Sequence, residues 1–165
     1  PAPVPQAPSL LFGVLKGARL PMLVEKATEL GVGEIQPVIT AHCAARAVNE
    51  ARLSAIATEA AEQCGRLTVP IVQRPRPLHE LLTAWDSRAL FVCDERGGAS
   101  PLLQAVIADT SRAAVCVLVG PEGGFSADEF KSLEQQSCVQ FVSLGQHTLR
   151  AETAAIAALA VLGCR

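Results

Sequence analysis

The chain has 165 residues, of which 50% are hydrophobic and 4% aromatic, and its formal net charge is −2 at neutral pH. That length suits one domain with a buried core, and the scarcity of aromatic residues favours an α/β arrangement over an aromatic-rich β-sandwich. No apolar stretch reaches the length of a membrane-spanning helix and no secretory signal pattern opens the chain, so we expect no membrane partner. A charge this close to zero does not by itself indicate nucleic acid.

The cysteines and histidines give no sign of a metal site. The six cysteines form no Cys-x-x-Cys pair, and the three histidines lie far apart in the sequence. Metal ligands usually cluster in the sequence, so we expect no metal. Cysteines within apolar patterns behave as small hydrophobic residues, and we expect a reducing compartment, the cytoplasm.

Residues 1–9 differ in composition from the rest of the chain. Four prolines stand among small residues in the first eight positions. Such a composition is typical of a linker or of the cut end of a longer protein. We therefore expect a single domain over residues 10–165.

Strand and helix patterns alternate in the first half of the chain. The apolar spacing predicts strands at 10–16, 34–39 and 69–73, and helices at 19–30, 49–65 and 78–85. Asn49 is placed to cap the second helix. Pro37 interrupts the second strand, which argues for a strand end or an edge position, because proline cannot donate to a ladder.

The alternation continues to the end of the chain. Strands are predicted at 88–93, 114–119 and 139–144, and helices at 100–108, after 126, and at 151–162. Ser100 is the expected cap of the first of these helices, with Pro101 at its first position, and Ser126 with Glu129 forms a capping box for the second. The whole pattern predicts an α/β fold, a mostly parallel sheet with helices on both faces.

Three loops follow predicted strands at their carboxyl ends: residues 94–98, 119–124 and 144–150. Ligands of open α/β sheets bind outside the carboxyl ends of the strands, so we expect these loops to form one pocket. Gly123 and Gly124 would allow positive φ or close approach to a ligand. The glycines match neither a phosphate-binding P-loop nor a dinucleotide-binding motif, and a plain strand-to-helix turn remains the alternative.

Arg150 is the notable charge of the third loop, since it lies at the start of an apolar helix where a carboxylate, not a cation, is favoured by the helix dipole. One interpretation is a functional cation. The other is an ion pair with Glu122 or Glu152.

Four separated segments together match a known family. They are Val-Gly-Pro-Glu-Gly-Gly-Phe-Ser at 119–126, Leu-Gly-x-x-x-Leu-Arg-x-Glu-Thr-Ala at 144–154, Lys-Ala-Thr-Glu-Leu-Gly-Val at 26–32 and Glu-Ala-Ala-Glu-Gln-Cys-Gly-Arg at 59–66. In their order along the chain these segments resemble the RsmE methyltransferases of the SPOUT superfamily. The resemblance covers the chain from about residue 10 to its end.

The resemblance implies methylation of N3 of a uridine in small-subunit ribosomal RNA, with S-adenosylmethionine as the methyl donor. It also implies a carboxyl-terminal trefoil knot and a homodimer, which the apolar helix at 151–162 would support. The family usually has an amino-terminal barrel similar to a PUA domain, and this chain lacks it. His147-Thr148 and Ala151 depart from the family's common residues.

Site residues follow from the resemblance. Arg150 would stabilise the uridine anion, and Glu122 would act as the base or brace the glycine loop. Contacts to S-adenosylmethionine are implied for Val119, Gly120, Pro121, Gly123, Gly124, Leu144, Gly145, Thr148 and Leu149. Contacts to RNA are implied for Lys16, Glu62, Gln63 and Arg66, although the last three would otherwise be interpreted as an exposed, self-paired helix face.

Two other functions remain open at this point. A SPOUT enzyme with another RNA target, such as a ribose 2′-hydroxyl, would keep the donor pocket and change the RNA-facing surface. A catalytically silent module that binds the donor or RNA would need no acceptor chemistry.

Overall fold

One sheet organises the part of the chain that the computed structural model describes, residues 6–109 and 113–164. Its described strands are β1 (Ser9–Gly13), β2 (Glu34–Ile39), β3 (Ile71–Val72), β4 (Arg76–Pro77), β5 (Leu90–Cys93), β6 (Ser100–Pro101), β7 (Cys116–Val119) and β8 (Val139–Ser143). They lie in the order β3-β2-β1-β7-β5-β8-β6, with β4 also beside β2, and every pair is parallel. The predicted parallel sheet is confirmed.

Helices cover both faces of the sheet. The described helices are α1 (Arg19–Glu29), α2 (Glu50–Gln63), α3 (Leu78–Thr83), α4 (Leu102–Ala108), α5 (Ala127–Glu134) and α6 (Ala151–Gly163). One hydrophobic core joins the sheet to α1, α2, α4 and α6, and a second core on the other face joins it to α3 and α5. The predicted layers are therefore confirmed, while the trefoil knot stays a prediction about how the chain threads.

The central strands are apolar because both of their faces are covered. Every residue of β1 and of β7 is buried. Continuous apolar runs of this length are typical of parallel strands between two helical layers. These two strands pair with each other, so the loops that follow them emerge side by side.

The edge position inferred from Pro37 is wrong, since β2 lies between β1 and the pair β3 and β4. Its neighbour, however, is interrupted beside the proline. β3 ends at Val72, opposite Ile35, and β4 begins at Arg76, opposite Val38. Pro37 lies opposite the gap, where no ladder donor is needed from it on that side.

The helix predicted from Ser100 begins later, at Leu102. Ser100 and Pro101 instead pair with Val142 and Ser143 as the short edge strand β6. Pro101 has extended ψ of 137°, and no side chain caps α4. Proline at an edge position loses no ladder hydrogen bond, which explains why this pair extends the sheet and not the helix.

The other predicted caps are present. Asn49 accepts a hydrogen bond from the backbone of Arg52, and Ser126 and Glu129 form a full capping box. Helix α6 packs on α1, α4 and β7. Its apolar composition is thus explained within one chain, and the expected homodimer must rest on other grounds.

Candidate functional site

The three predicted loops wall a single cleft of about 430 Å³ at the carboxyl edge of β5, β7 and β8. Its lining comprises Cys93, Asp94, Glu95, Arg96, Val119, Gly120, Pro121, Glu122, Gly124, Phe125, Phe130, Ser143, Leu144, Gly145, His147, Thr148, Leu149, Arg150, Ala151 and Ala154. This lining includes every residue predicted to bind the donor except Gly123. The three loops meet because their strands are neighbours in the sheet.

The glycine loop after β7 is a tight turn that packs against β1. Gly124 has φ of 69° and donates its backbone N–H to the carbonyl of Pro121 at 2.8 Å. Pro121 packs on Gly13 of β1, where an added Cβ would lie only 2.6 Å from the proline ring. Gly124 therefore needs its positive φ, and Gly13 needs to remain without a side chain.

Gly123 faces away from the cleft, towards the loop that follows β2. A Cβ there would lie 2.9 Å from the Cβ of His42. The imidazole Nδ1 of His42 lies 3.1 Å and 3.3 Å from the carbonyl oxygens of Gly123 and Gly124. The close approach expected at this glycine is thus to the protein itself.

The loop after β5 presents a fixed ion pair. Arg96 binds Asp94 through two nitrogens, with Nη2 2.8 Å from Oδ2, and its guanidinium lies 3.5 Å from the ring centre of Phe130. Hydrogen bonds from Arg96 lower the pKa of Asp94. Burial raises the pKa of the neighbouring Cys93 thiol to about 12, so this cysteine is not a nucleophile at neutral pH.

The loop after β8 leads directly into α6. Gly145 has φ of 125°, and Ser143 Oγ accepts a hydrogen bond from its backbone N–H at 3.2 Å. Leu144 and Leu149 are partly buried against the core. Arg150 is the exposed residue that precedes the helix, and it is one of the residues that line the cleft.

The ion pair suggested for Arg150 is formed by another arginine. Glu122 and Glu152 both lie near Arg19, the first residue of α1. Its Nη1 contacts Glu122 directly and lies 3.9 Å from Oε2 of Glu152. Arg150 has no ion-pair partner among the described residues. The structure therefore leaves Arg150 available at the mouth of the cleft.

Arg19 is a residue that the sequence analysis missed. It lies 103 positions from Glu122 in the chain, and no local pattern joins the two. Glu152 is only 7% exposed, and its Oε2 atom has no hydrogen-bond partner. A buried carboxylate such as that of Glu152 needs a nearby cation. That requirement was the available indication that an arginine from another part of the chain would lie beside it.

The residues predicted to contact RNA are divided between two edges of the sheet. Lys16 is exposed after β1, on the same edge as the cleft. At the opposite edge, α2 ends with Glu62 and Gln63, and Arg66 follows it. Arg66 donates to the carbonyl of Thr28 at 2.7 Å, which satisfies the end of α1. One chain does not bring these three residues to its own cleft.

Two further expectations concern metals and membranes. Among residues 6–109 and 113–164, no group of three or more histidine, cysteine or acidic side chains is arranged to hold a metal ion. In the same residues, no helix is long and apolar enough to span a membrane.

A family model for an RNA methyltransferase domain matches residues 2–163 of the chain. The chain belongs to this family. The RNA methyltransferase domain is 35% identical over 152 residues to a ribosomal RNA small subunit methyltransferase E of Rickettsia conorii, and the alignment covers 92% of this chain and 62% of the relative. The RsmE resemblance stated from the motifs is confirmed. The chain thus spans about three fifths of that relative's length.

Solved structures agree with this assignment. A ribosomal RNA small subunit methyltransferase E from Neisseria gonorrhoeae, bound to S-adenosyl methionine, is 32% identical, with a TM-score of 0.85 over 97% of this chain and 66% of that one. The SpoU methyltransferase AviRb of Streptomyces viridochromogenes, 17% identical, has a TM-score of 0.56 over 99% of this chain and 62% of that one. Taken together, the two likenesses show that the RNA methyltransferase domain has the SPOUT fold.

Proposed function

We propose that the chain from β1 onwards forms a methyltransferase domain that uses S-adenosylmethionine to methylate N3 of a uridine in small-subunit ribosomal RNA. The observation that carries the proposal is the single cleft walled by the three strand-end loops. Its position follows the general rule for ligands of parallel sheets. The ligand in the Neisseria structure supports the identity of the donor.

The cleft suits a donor of this kind. Its volume of about 430 Å³ lies in the range of small-molecule sites, and Val119, Leu144, Leu149 and Ala154 give it apolar walls. Other lining residues are Gly120, Pro121, Gly124, Gly145 and Thr148, whose backbone would supply the hydrogen bonds to an adenosine. When bound, S-adenosylmethionine would supply an electrophilic methyl group on its sulfonium.

Arg150 would contribute to the acceptor side of the reaction. The N3 atom of uracil must lose its proton to become a nucleophile, which leaves an anion on the base. Arg150 is exposed at the cleft and unpaired, so its guanidinium is free to lie beside that anion. A fixed cation at the site of developing charge lowers the barrier most when water is excluded by the bound substrates.

Glu122 has a different role in this proposal. Its carboxylate is occupied by the ion pair with Arg19. The contact also fastens the glycine loop to the start of α1. We therefore assign bracing of the loop to Glu122, and removal of the proton to solvent or to another group.

A homodimer completes the proposed assembly. Glu62, Gln63 and Arg66 lie at the edge of the sheet away from the cleft, so they would serve a cleft only in a second copy of the chain. An isologous dimer places the same residues of each copy against the other. We place this enzyme in the cytoplasm, where small ribosomal subunits are assembled.

Methylation of unmodified small-subunit ribosomal RNA, followed by nucleoside analysis, tests the proposed reaction. We expect 3-methyluridine as the product. A methyl group found on a ribose 2′-hydroxyl would contradict the acceptor that we propose. No product despite demonstrated donor and RNA binding would favour a silent binding module.

The same assay tests the role of Arg150. At saturating donor and RNA, Arg150→Ala should lower the single-turnover rate by about a hundredfold to a thousandfold, the usual cost of losing an electrostatic donor to the transition state. Affinity for S-adenosylmethionine should stay that of the parent. The matched control is Lys131→Ala, another exposed cation, on α5. If Arg150→Ala keeps the parent's rate, its role is structural.

A further inference from the structure

The cations of the described residues differ in whether they have partners. Arg19, Lys26, Arg74, Arg88 and Arg96 each have a carboxylate within 4 Å, and Arg66 binds a backbone carbonyl. Among residues 6–109 and 113–164, the cations without such a partner are Lys16, Arg46, Arg52, Arg76, Lys131 and Arg150. Unpaired cations on a surface are free to bind phosphate groups.

All of these unpaired cations except Lys131 lie at the carboxyl edge of the sheet. Lys16 and Arg46 follow β1 and β2, and Arg52 is in the first turn of α2. Arg76 belongs to β4, which pairs with the last residues of β2. Lys16 and Arg150 are beside the cleft, and the other three extend away from it, past β2. We call Arg46, Arg52 and Arg76 the basic edge.

Contacts among neighbouring residues hold the basic edge together. Arg74, between β3 and β4, lies 3.6 Å from Glu50 at the start of α2, two residues before Arg52. Arg46 and Pro77, which follows Arg76, line a common depression. Arg46 and Arg76 therefore border one stretch of surface, and Arg52 lies in the helical turn that Arg74 contacts.

Two carboxylates near the basic edge are occupied. Glu129 accepts hydrogen bonds from the backbone N–H groups of Ala41 and Ser126, at 2.7 and 2.8 Å. Glu50 is beside Arg74. Asp128, at the start of α5, is the exposed acid that remains at the depression. On the far side of the cleft, by contrast, the exposed residue Glu95 carries negative charge.

The size and lining of the depression suit a nucleotide. Its volume is about 330 Å³, and Ile39, Pro77 and Leu78 supply apolar surface while Arg46 and His79 border it. An unstacked base could lie on the apolar surface with its phosphate at Arg46. The first turn of α5 separates this depression from the donor cleft, since Glu129 lines one and Phe130 lines the other.

From this distribution we infer that the basic edge binds the phosphate backbone of single-stranded RNA and leads it across the depression to the donor cleft. The inference rests on the proposed function and adds the direction of approach, from the side of β2 and not from the side of Glu95. It assigns phosphate contacts to arginines that no sequence motif singled out. Arg66, which caps α1 at the opposite edge, is not one of them for this cleft.

Counterion release provides the test. The probe is a uridine-rich single-stranded oligoribonucleotide of about 12 nucleotides, the scale of a single-strand binding site. Its affinity for the whole chain is measured by fluorescence anisotropy across a range of salt concentrations. The test variant replaces all three arginines, as Arg46→Gln, Arg52→Gln and Arg76→Gln. Each phosphate contact contributes about 0.7 to the steepness of the plot of log K against log salt, so the plot of the triple variant should be less steep than that of the parent by about 2. Lys131→Gln should leave the slope unchanged.

Each outcome decides the matter. A triple variant with the parent's slope and affinity would overturn the inference, as would an equal loss in Lys131→Gln or a parent chain that does not bind the probe. Calorimetric titration of the same variants with S-adenosylmethionine separates this result from the proposed function. A parent that binds no donor refutes the function, whereas normal donor binding with an unchanged RNA slope refutes the basic edge alone. Thermal unfolding of the triple variant confirms that it is folded.

Discussion

Arg19 links the parts of the site that lie furthest apart in the sequence. It stands at the start of α1 and meets Glu122 of the glycine loop and Glu152 of α6. Glu152 is buried, and an uncompensated carboxylate in that position would be costly. We interpret Arg19 as the residue that compensates the buried carboxylate of Glu152 while it holds the glycine loop in place.

Removing this arginine should destabilise the chain. We expect Arg19→Ala to lower the free energy of unfolding by about 1–3 kcal/mol, because the contact with Glu122 is lost and the buried carboxylate of Glu152 loses its nearby cation. Urea denaturation measures the change. Glu152→Gln in the Arg19→Ala background should recover part of the loss, because the buried charge is then absent. A variant Arg19→Ala as stable as the parent would show that Glu152 does not depend on Arg19.

Two adjacent glycines, Gly123 and Gly124, differ in how well the sequence predicted their roles. The expectation of positive φ holds at Gly124, because a strand-to-helix turn of this kind requires it. At Gly123 the constraint comes from His42, a residue 81 positions away. Sequence can indicate that a glycine is needed, but it does not say whether ligand or protein occupies the space beside it.

At the scale of elements, periodicity predicted the alternation of strands and helices because buried parallel strands are continuously apolar and the helices are amphipathic. The errors occurred at prolines. Pro37 suggested an edge and Pro101 a helix start, and both predictions failed because the neighbouring strand decides the outcome. The strand beside β2 is interrupted, and the sheet has an open edge beside β8. Both are properties of the assembled sheet, and the local sequence does not reveal them.

Helix α5 depends on its cap, and its first turn lies between the donor cleft and the depression. Ser126→Ala should cost about 1 kcal/mol of stability, since it removes the hydrogen bond to the backbone N–H of Glu129. Ser132→Ala on the same helix is the matched control, because that hydroxyl only bonds back to the carbonyl of Asp128. Chemical denaturation of both variants measures the difference. Equal stability in the two would contradict the importance of the cap.

For the whole molecule, the common position of the three loops could be predicted because all strands of a parallel sheet end at the same edge. The strand order could not, and it determines which loops are neighbours. The same limitation affected the expected RNA contacts. Lys16 and Arg66 are both basic residues near helices, yet the sheet places them at opposite edges. Charges that act together are identified only after the fold has placed them.

The central claim is that the cleft of the three loops binds S-adenosylmethionine, and calorimetric titration of this chain with the donor tests it directly. We expect saturable binding of one donor per chain, and loss of that binding in Gly124→Val, because a β-branched residue at φ of 69° displaces the loop. The matched control is Gly65→Val. Gly65 has φ of 71° and equally open surroundings, but it lies at the end of α2, at the opposite edge of the sheet.

The two variants carry the same backbone strain, so a difference between them reports on the site and not on the general cost of the substitution. Our account predicts that Gly65→Val binds the donor like the parent, while Gly124→Val does not. Donor affinity in Gly124→Val equal to that of the parent would remove the glycine loop from the site, and a parent chain that binds no S-adenosylmethionine would contradict the account as a whole.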